Sequence, residues 1–336
     1  METISMLKQS RPAGTITVTR KIPRNYDEKD RALFEGAFTL EIPQRKTLLL
    51  RHASVIKHAV FNPSEFRFAN DYTHIRPFSK FSQFKKLYLY ALPGKCVEKA
   101  IWITDEWSAE YYHWLADALT RLLAVENLKS SHVVLLPERY REKPYVEASL
   151  RMLGFRWEYY SIRRIVRTKE MVLPAHTAPT GHFSESAING LRNRFVQPGT
   201  TPFRKIFISR KKAIRRRILN EAEVTALMDK HGYEVHYFED YDFATQIRLM
   251  SETKILTGLH GAGLTNMLFM QPGTKLLEIR NEGESHLNCF FNQASALDIE
   301  YYYMLSQATS AETHTADFTV NVKKLEAAMI AMEGDE

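Results

Sequence analysis

The chain has 336 residues, of which 44% are hydrophobic and 25% charged, with a formal net charge of +7. That length allows two domains of ordinary size, and the composition is that of a soluble globular protein without repeats or long low-complexity segments. No run of about 18 apolar residues is present, and Met1 to Gly14 has no apolar core of a leader, so neither a spanning helix nor a signal peptide is expected. Cys96 and Cys289 stand far apart, with neither metal spacing nor a disulfide framework, which suits a reducing, cytoplasmic setting. The basic balance favours acidic partners: nucleotide-sugar phosphates, nucleic acid or an anionic membrane face.

Residues 1–95 read as a β-rich N-terminal subregion. Thr15 to Thr19 alternates as a strand does, Thr47 to Leu50 and Ser54 to Phe61 are strand-like, and the aromatics between Phe66 and Leu92 read as core. From 96 to 175 the pattern is α/β. Strands are expected at Ala100–Ile103, His132–Leu136, Phe155–Tyr160 and Arg163–Val166. Helices are expected from Ser108 or Glu110 to Asn127 and from Lys143 to Leu153, the second stopped by Gly154. Pro174, Pro179, Gly181, Pro198, Gly199 and Pro202 mark 176–203 as a linker, with one helix from Glu185 to Val196 inside it.

A second α/β run fills 204–336. Its strands are Lys205–Ser209, Tyr233–Phe238, Lys254–Thr257, Lys275–Ile279 and Asp298–Tyr303. Asn220 and Glu223 have the spacing of a capping box for a helix reaching His231, and Asp242 caps a helix to Glu252. An amphipathic helix from Val322 to Met332 closes the chain and is drawn as able to cross back to the first domain. Strands alternating with helices in two separate runs predict two doubly wound, Rossmann-like domains facing a cleft.

Three stretches carry chemistry. In TKILTGLHGAGLTNMLFMQPGTKLLEIR a buried strand runs into Gly258, Gly261 and Gly263, then a short helix whose free amides form an anion site. His260 and Glu278 fall at the loop side of their strands, where open α/β sheets bind ligands. The turn lacks both the GxGxxG and the P-loop spacing, and glycine turns are common in βαβ units that bind nothing. The segment RKIFISRKKAIRRR holds eight Lys/Arg in 14 positions between a strand and a capped helix, suited to gripping a diphosphate. It reads equally as a solvated basic loop or a nucleic-acid patch. On the helix at 110–121, His113, Asp117 and Arg121 share one face, and a carboxylate one turn from a histidine raises its basicity. The plainer reading is an ion-paired polar face. His176 and His182 read as incidental loop histidines, and Asp240 and Asp242 as a helix N-terminus rather than an acidic metal motif. No set of ligands has metal spacing.

The blocks YYHWLADALTRL, ISRKKAIRRRILNEAEV and TKILTGLHGAGLTNMLFMQPGTKLLEI, in that order, resemble glycosyltransferase family 61. They cover 110–125 and 206–280, and nothing in 1–95 matches. The resemblance implies a GT-B fold and an inverting transfer that needs no metal ion or other cofactor. It implies a nucleotide-sugar donor such as a UDP-sugar and a saccharide or glycolipid-linked acceptor. Bacterial relatives work in capsule and surface polysaccharide assembly, at times against the inner membrane face. The family's donor-binding positions fall on Arg210, Arg216, His260, Gly261, Ala262, Gly263, Asn266 and Glu278, with Glu278 expected to accept from ribose hydroxyls. His113 and Asp117 match its N-terminal helix motif and are the expected base. A nucleic-acid binder using 204–217 and a non-catalytic donor-binding scaffold are the rival readings. The oligomeric state is left open.

Overall fold

The computed structural model of the chain describes residues 14–75, 79–91, 93–197, 199–282, 288–310, 312 and 315–334. Parts of the expected N-terminal subregion (1–13, 76–78 and Leu92) and Pro198 of the expected linker lie outside the described residues. The chain divides into two compact units, one of residues 1–16 and 43–179, the other of 17–42 and 180–336. Residues 17–42 therefore belong with the C-terminal unit, where the sequence reading drew 1–95 as one N-terminal piece. Their helix α1 (Arg31–Phe38) buries Phe34 completely, edge-on to Phe291 and Tyr303 with ring centroids 5.3 and 4.8 Å away.

The first unit is built on β1 (Leu48–Arg51), β2 (Ser54–Ile56), β3 (Ala59–Asn62), β4 (Arg67–Phe68), β5 (Gly94–Ile101), β6 (Val133–Pro137), β7 (Arg156–Tyr160) and β8 (Ile165–Leu173). They form one sheet in the order β4-β3-β2-β8-β5-β6-β7, with β1 also paired to β8. The strands β8, β5, β6 and β7 run parallel, as expected. The strands from 48–68 join the same sheet antiparallel and make it mixed. The reason is local: β2 and β3 are joined by only Lys57 and His58, with Lys57 at φ 58°, and so short a connection can serve only antiparallel neighbours. The helix expected near 110 spans 111–123 (α2), shorter than predicted, and its middle, Trp114–Ala118, is wound as a π-helix. Helix α3 (Pro144–Met152) starts on a proline, whose missing N–H costs nothing there.

In the second unit α4 (Glu185–Phe195) leads into β9 (Arg204–Ile208), α5 (Glu221–Lys230), β10 (Glu234–His236), α6 (Phe243–Ser251) and β11 (Thr253–Leu259). Then follow β12 (Lys275–Asn281), α7 (Cys289–Ala296), β13 (Glu300–Ala308), β14 (Phe318–Thr319) and α8 (Val322–Gly334). The sheet order is β10-β9-β11-β12-β13-β14, with all but β14 parallel. Chain order reverses between β9 and β11, so the crevice beyond their carboxyl ends is the topological switch point, where open α/β sheets take ligands. Asp242 caps α6 as expected, accepting from Thr245 N at 2.7 Å. The capping box at Asn220 does not form. Its side chain instead grips the Val320 backbone, Oδ1 accepting from N and Nδ2 donating to O, both at 2.9 Å. Helix α8 does not cross back. Leu325, Met329 and Met332 are fully buried in the second unit's own core with Leu277 and Tyr302. Among the described residues no helix is long and apolar enough to cross a membrane.

Candidate functional site

The second unit brings most of the expected donor residues to the switch point. Arg210 follows β9 and Gly261 follows β11. A Cβ on Gly261 would fall inside the Arg210 guanidinium, 3.0 Å from its Cζ. Gly261 is extended, at φ 167°, so glycine is required there by this close approach and not by a left-handed backbone. Gly263 is held for a similar reason, since a Cβ there would lie 3.1 Å from Ile208 Cγ2. Ala262 begins the 3-10 helix Ala262–Phe269, in which Asn266 is buried and donates to Gly263 O at 3.0 Å.

Arg210 is anchored by its own loop, with Nε donating to Arg216 O at 2.8 Å and Nη2 to Arg215 O at 3.0 Å. Burial, then the charge of Arg216, push its pKa down to about 10 despite Glu239 nearby. Burial and Arg215 likewise lower Arg216, which sits at φ 57° with a buried, unpaired Nε. Among the described residues neither guanidinium has an ion pair. Four other members of the basic run are paired with carboxylates. Arg204 meets Glu234 and Glu252 at 2.8 and 2.7 Å, Lys205 meets Glu333 at 3.0 Å, Lys212 meets Asp240 at 2.5 Å and Arg217 meets Asp317 at 3.3 Å. Lys211 and Arg215 remain as exposed charges.

Glu278 makes its contacts inside the second unit. It is fully buried, bonded through Oε1 to His260 Nδ1, and accepts at Oε2 from the Tyr301 hydroxyl at 2.6 Å. Burial alone would raise its carboxyl, but His260, Arg280 and the Tyr301 bond hold it below the usual range. Both oxygens are engaged within the protein, and through them it orients His260. His260 packs edge-on against Phe290 of α7, with ring centroids 4.9 Å apart. Burial pushes the neighbouring Cys289 thiol up to about 12.

The first unit holds a second polar cluster, beyond the carboxyl ends of β5 and β8. His113 Nδ1 lies 2.8 Å from Asp117 Oδ2 across the π segment, as the spacing predicts, and His113 also contacts the Trp107 ring. π insertions are frequent at functional sites. Arg121 does not join this pair. It is fully buried and donates to Pro174 O, Ile103 O and Tyr72 O, each at 2.8 Å. His176 is no incidental loop residue: its Nε2 lies 3.2 Å from Asp105 Oδ2. Asp105 escaped the sequence reading altogether. The available signal was its position just past a buried strand, six residues before the helix motif opens at Tyr111. His182 is half-buried with Nδ1 unpaired. Among the described residues no group of three His, Cys, Asp or Glu could hold a metal ion.

The family model for glycosyltransferase 61 matches residues 111–277, from the π-wound helix to the strand carrying Glu278. The chain belongs to the glycosyltransferase 61 family. An EGF domain-specific O-linked N-acetylglucosamine transferase of Drosophila melanogaster is 30% identical over 122 residues, 35% of this chain and 23% of that protein. Proteins of the same name from Bos taurus and Mus musculus are each 33% identical over 91 residues, 26% of this chain and 17% of theirs. The chain thus covers less than a quarter of the length of these curated relatives.

Proposed function

We propose that the protein is an inverting glycosyltransferase that moves a sugar from a UDP-sugar to a saccharide acceptor, free or lipid-linked, in surface polysaccharide assembly. Its two units would act as the donor and acceptor domains of a GT-B enzyme. The observation that carries this reading is Arg210: a half-buried guanidinium without an ion pair among the described residues, lying on the backbone of Gly261 at a topological switch point. A leaving diphosphate develops charge as the glycosidic bond breaks. Arg210, Arg216 and the amides after His260 are suited to stabilise it without a metal ion. The relatives' name makes N-acetylglucosamine the first sugar to test.

A base on the acceptor side completes an inverting displacement, and the first unit offers two histidine–carboxylate pairs, His113 with Asp117 and His176 with Asp105. The nucleic-acid reading is disfavoured by the pairing of Arg204, Lys205, Lys212 and Arg217 with carboxylates, which neutralises half of the basic run. Calorimetry with UDP tests the proposal. Arg210→Ala should weaken binding by about 1.5–3 kcal/mol, the worth of a charge-assisted contact. An unchanged affinity would overturn the donor site.

A further inference from the structure

We propose that a cleft lying wholly within the first unit, between the β2–β3 turn and the loops after β6 and β7, binds a phosphate group, free or carried on a lipid headgroup. Arg139 and Arg163 supply the charge, Ser161 a hydroxyl donor and His58 a neutral ring. The inference goes beyond the glycosyl-transfer reading and does not depend on it.

Three loops far apart in the sequence meet there. His58 comes from the β2–β3 turn, Glu138 and Arg139 from the 3-10 helix Glu138–Glu142 that follows β6, and Ser161 and Arg163 from the connection between β7 and β8. Together they line a cleft of about 460 Å³. That is the size of a small-ligand site, about 300–1,000 Å³. Its walls are held by the protein's own bonds. The Tyr160 hydroxyl at the end of β7 donates to Lys57 O at 2.7 Å and ties down the β2–β3 turn. Arg164 N donates to Ser161 O at 3.0 Å and Arg163 N to Ser161 Oγ at 3.4 Å, which closes the turn at 161–164. Ser161 Oγ accepts in that contact, so its hydroxyl proton is left to donate. An anion entering a cleft already formed pays little for ordering it.

The charge in the cleft is one-sided. Among the described residues Arg139, Arg163 and the adjacent Lys57 have no ion pair, whereas Lys95 and Lys169 of the same unit meet Glu158 and Glu98. Against these cations the described lining sets one carboxylate, Glu138. Guanidinium forks match the oxygens of a phosphate better than any other side chain does. His58 reports the field they make. It is half-buried, and its buried Nδ1 has no partner among the described residues. Burial, then Arg139, His74, Lys86 and Lys57, push its pKa down to about 4. All four of those groups are basic, so the ring stands in a positive field that a bound anion would offset. Ile162, 43% exposed between Ser161 and Arg163, adds an apolar edge that a lipid-borne phosphate would use and a free one would not.

The test reads His58 itself, so that an anion held by Arg210 does not enter the result. The histidine ring signals of the whole chain are followed by NMR with inorganic phosphate and with pyrophosphate, the His58 signal being assigned by its loss in His58→Asn. Bound pyrophosphate should raise the His58 pKa by about 1–3, the effect of an opposite charge at short range. Arg139→Ala and Arg163→Ala, both changes at exposed side chains, should each weaken that binding about 10-fold or more, the worth of a charge-assisted contact. Glu138→Gln should tighten it by removing a like charge. Sedimentation with vesicles of equal parts phosphatidylcholine and phosphatidic acid, against phosphatidylcholine alone, then separates the sources. Binding to the acidic vesicles that the double Arg139→Ala, Arg163→Ala variant loses assigns the site to a lipid headgroup. A His58 response to pyrophosphate without vesicle binding assigns it to a soluble phosphate. A His58 signal that neither anion moves overturns the site whatever the vesicles do, and so does wild-type pyrophosphate affinity in both arginine variants.

Discussion

At the scale of single residues, the proposed donor site turns on one contact that no substitution scan of charges would find. Gly261 needs its missing side chain because the Arg210 guanidinium occupies the space. The clashing atoms are the far end of a flexible side chain, so Gly261→Ala should cost the fold little and displace Arg210 instead. UDP affinity should then fall nearly as far as in Arg210→Ala, while the thermal midpoint stays close to wild type. Equal affinity in Gly261→Ala would mean that Arg210 does not bind from this position. The sequence revealed the glycine and the arginine separately, since both residue types are informative wherever they fall. Their contact was not legible, because it depends on β9 and β11 being neighbours. The partners of Glu278 were hidden for the same kind of reason. A carboxylate at a strand end can meet solvent or a partner in the next strand, and only the pairing of β12 with β13 brings the Tyr301 hydroxyl to it.

At the scale of elements, apolar runs located nearly every strand of both parallel sets, because a strand buried on both faces has nowhere to put polar residues. Helix α7 was missed. CFFNQASA has no polar face to produce a period, and Phe290 through Ala296 are all buried. The π segment of α2 was missed because winding by one extra residue per turn leaves the apolar spacing almost unaltered. Asn220 shows a motif overruled by tertiary structure. Its two bonds to Val320 replace the local cap and fasten the approach to α8 onto the start of α5. Asn220→Ala should therefore destabilise by about 1–3 kcal/mol, two ordinary hydrogen bonds, where loss of a cap alone would be worth about 1. Urea unfolding followed by circular dichroism measures it. A loss of a few tenths would show that the clamp is replaceable by water.

At the scale of the whole chain, the assignment of 17–42 to the C-terminal unit was beyond the reach of local pattern, since more than 130 residues separate it from the rest of that unit. The packing explains it. The second unit's sheet leaves Tyr301 and Tyr303 on β13 and Phe291 on α7 as an aromatic surface, and Phe34 fills it. The Phe34 ring also lies under the Arg280 guanidinium, 4.9 Å from its centroid, and Arg280 Nη1 reaches Asn288 Oδ1 at 2.9 Å. Asn288 in turn donates to Leu33 O at 2.8 Å. The Arg280 charge lies close to Glu278, and Glu278 holds His260, so the early segment supports the proposed donor site through three contacts without touching it. Phe34→Ala should cost about 3–5 kcal/mol, the range for emptying a fully buried aromatic site. UDP affinity should fall at temperatures where the protein is still folded, because the support under Arg280 is gone. A segment of residues 180–336 expressed alone should show the same defect more severely, and a co-expressed segment carrying 17–42 should restore it. A Phe34→Ala protein with wild-type stability would mean that these residues decorate the second unit and do not complete its core.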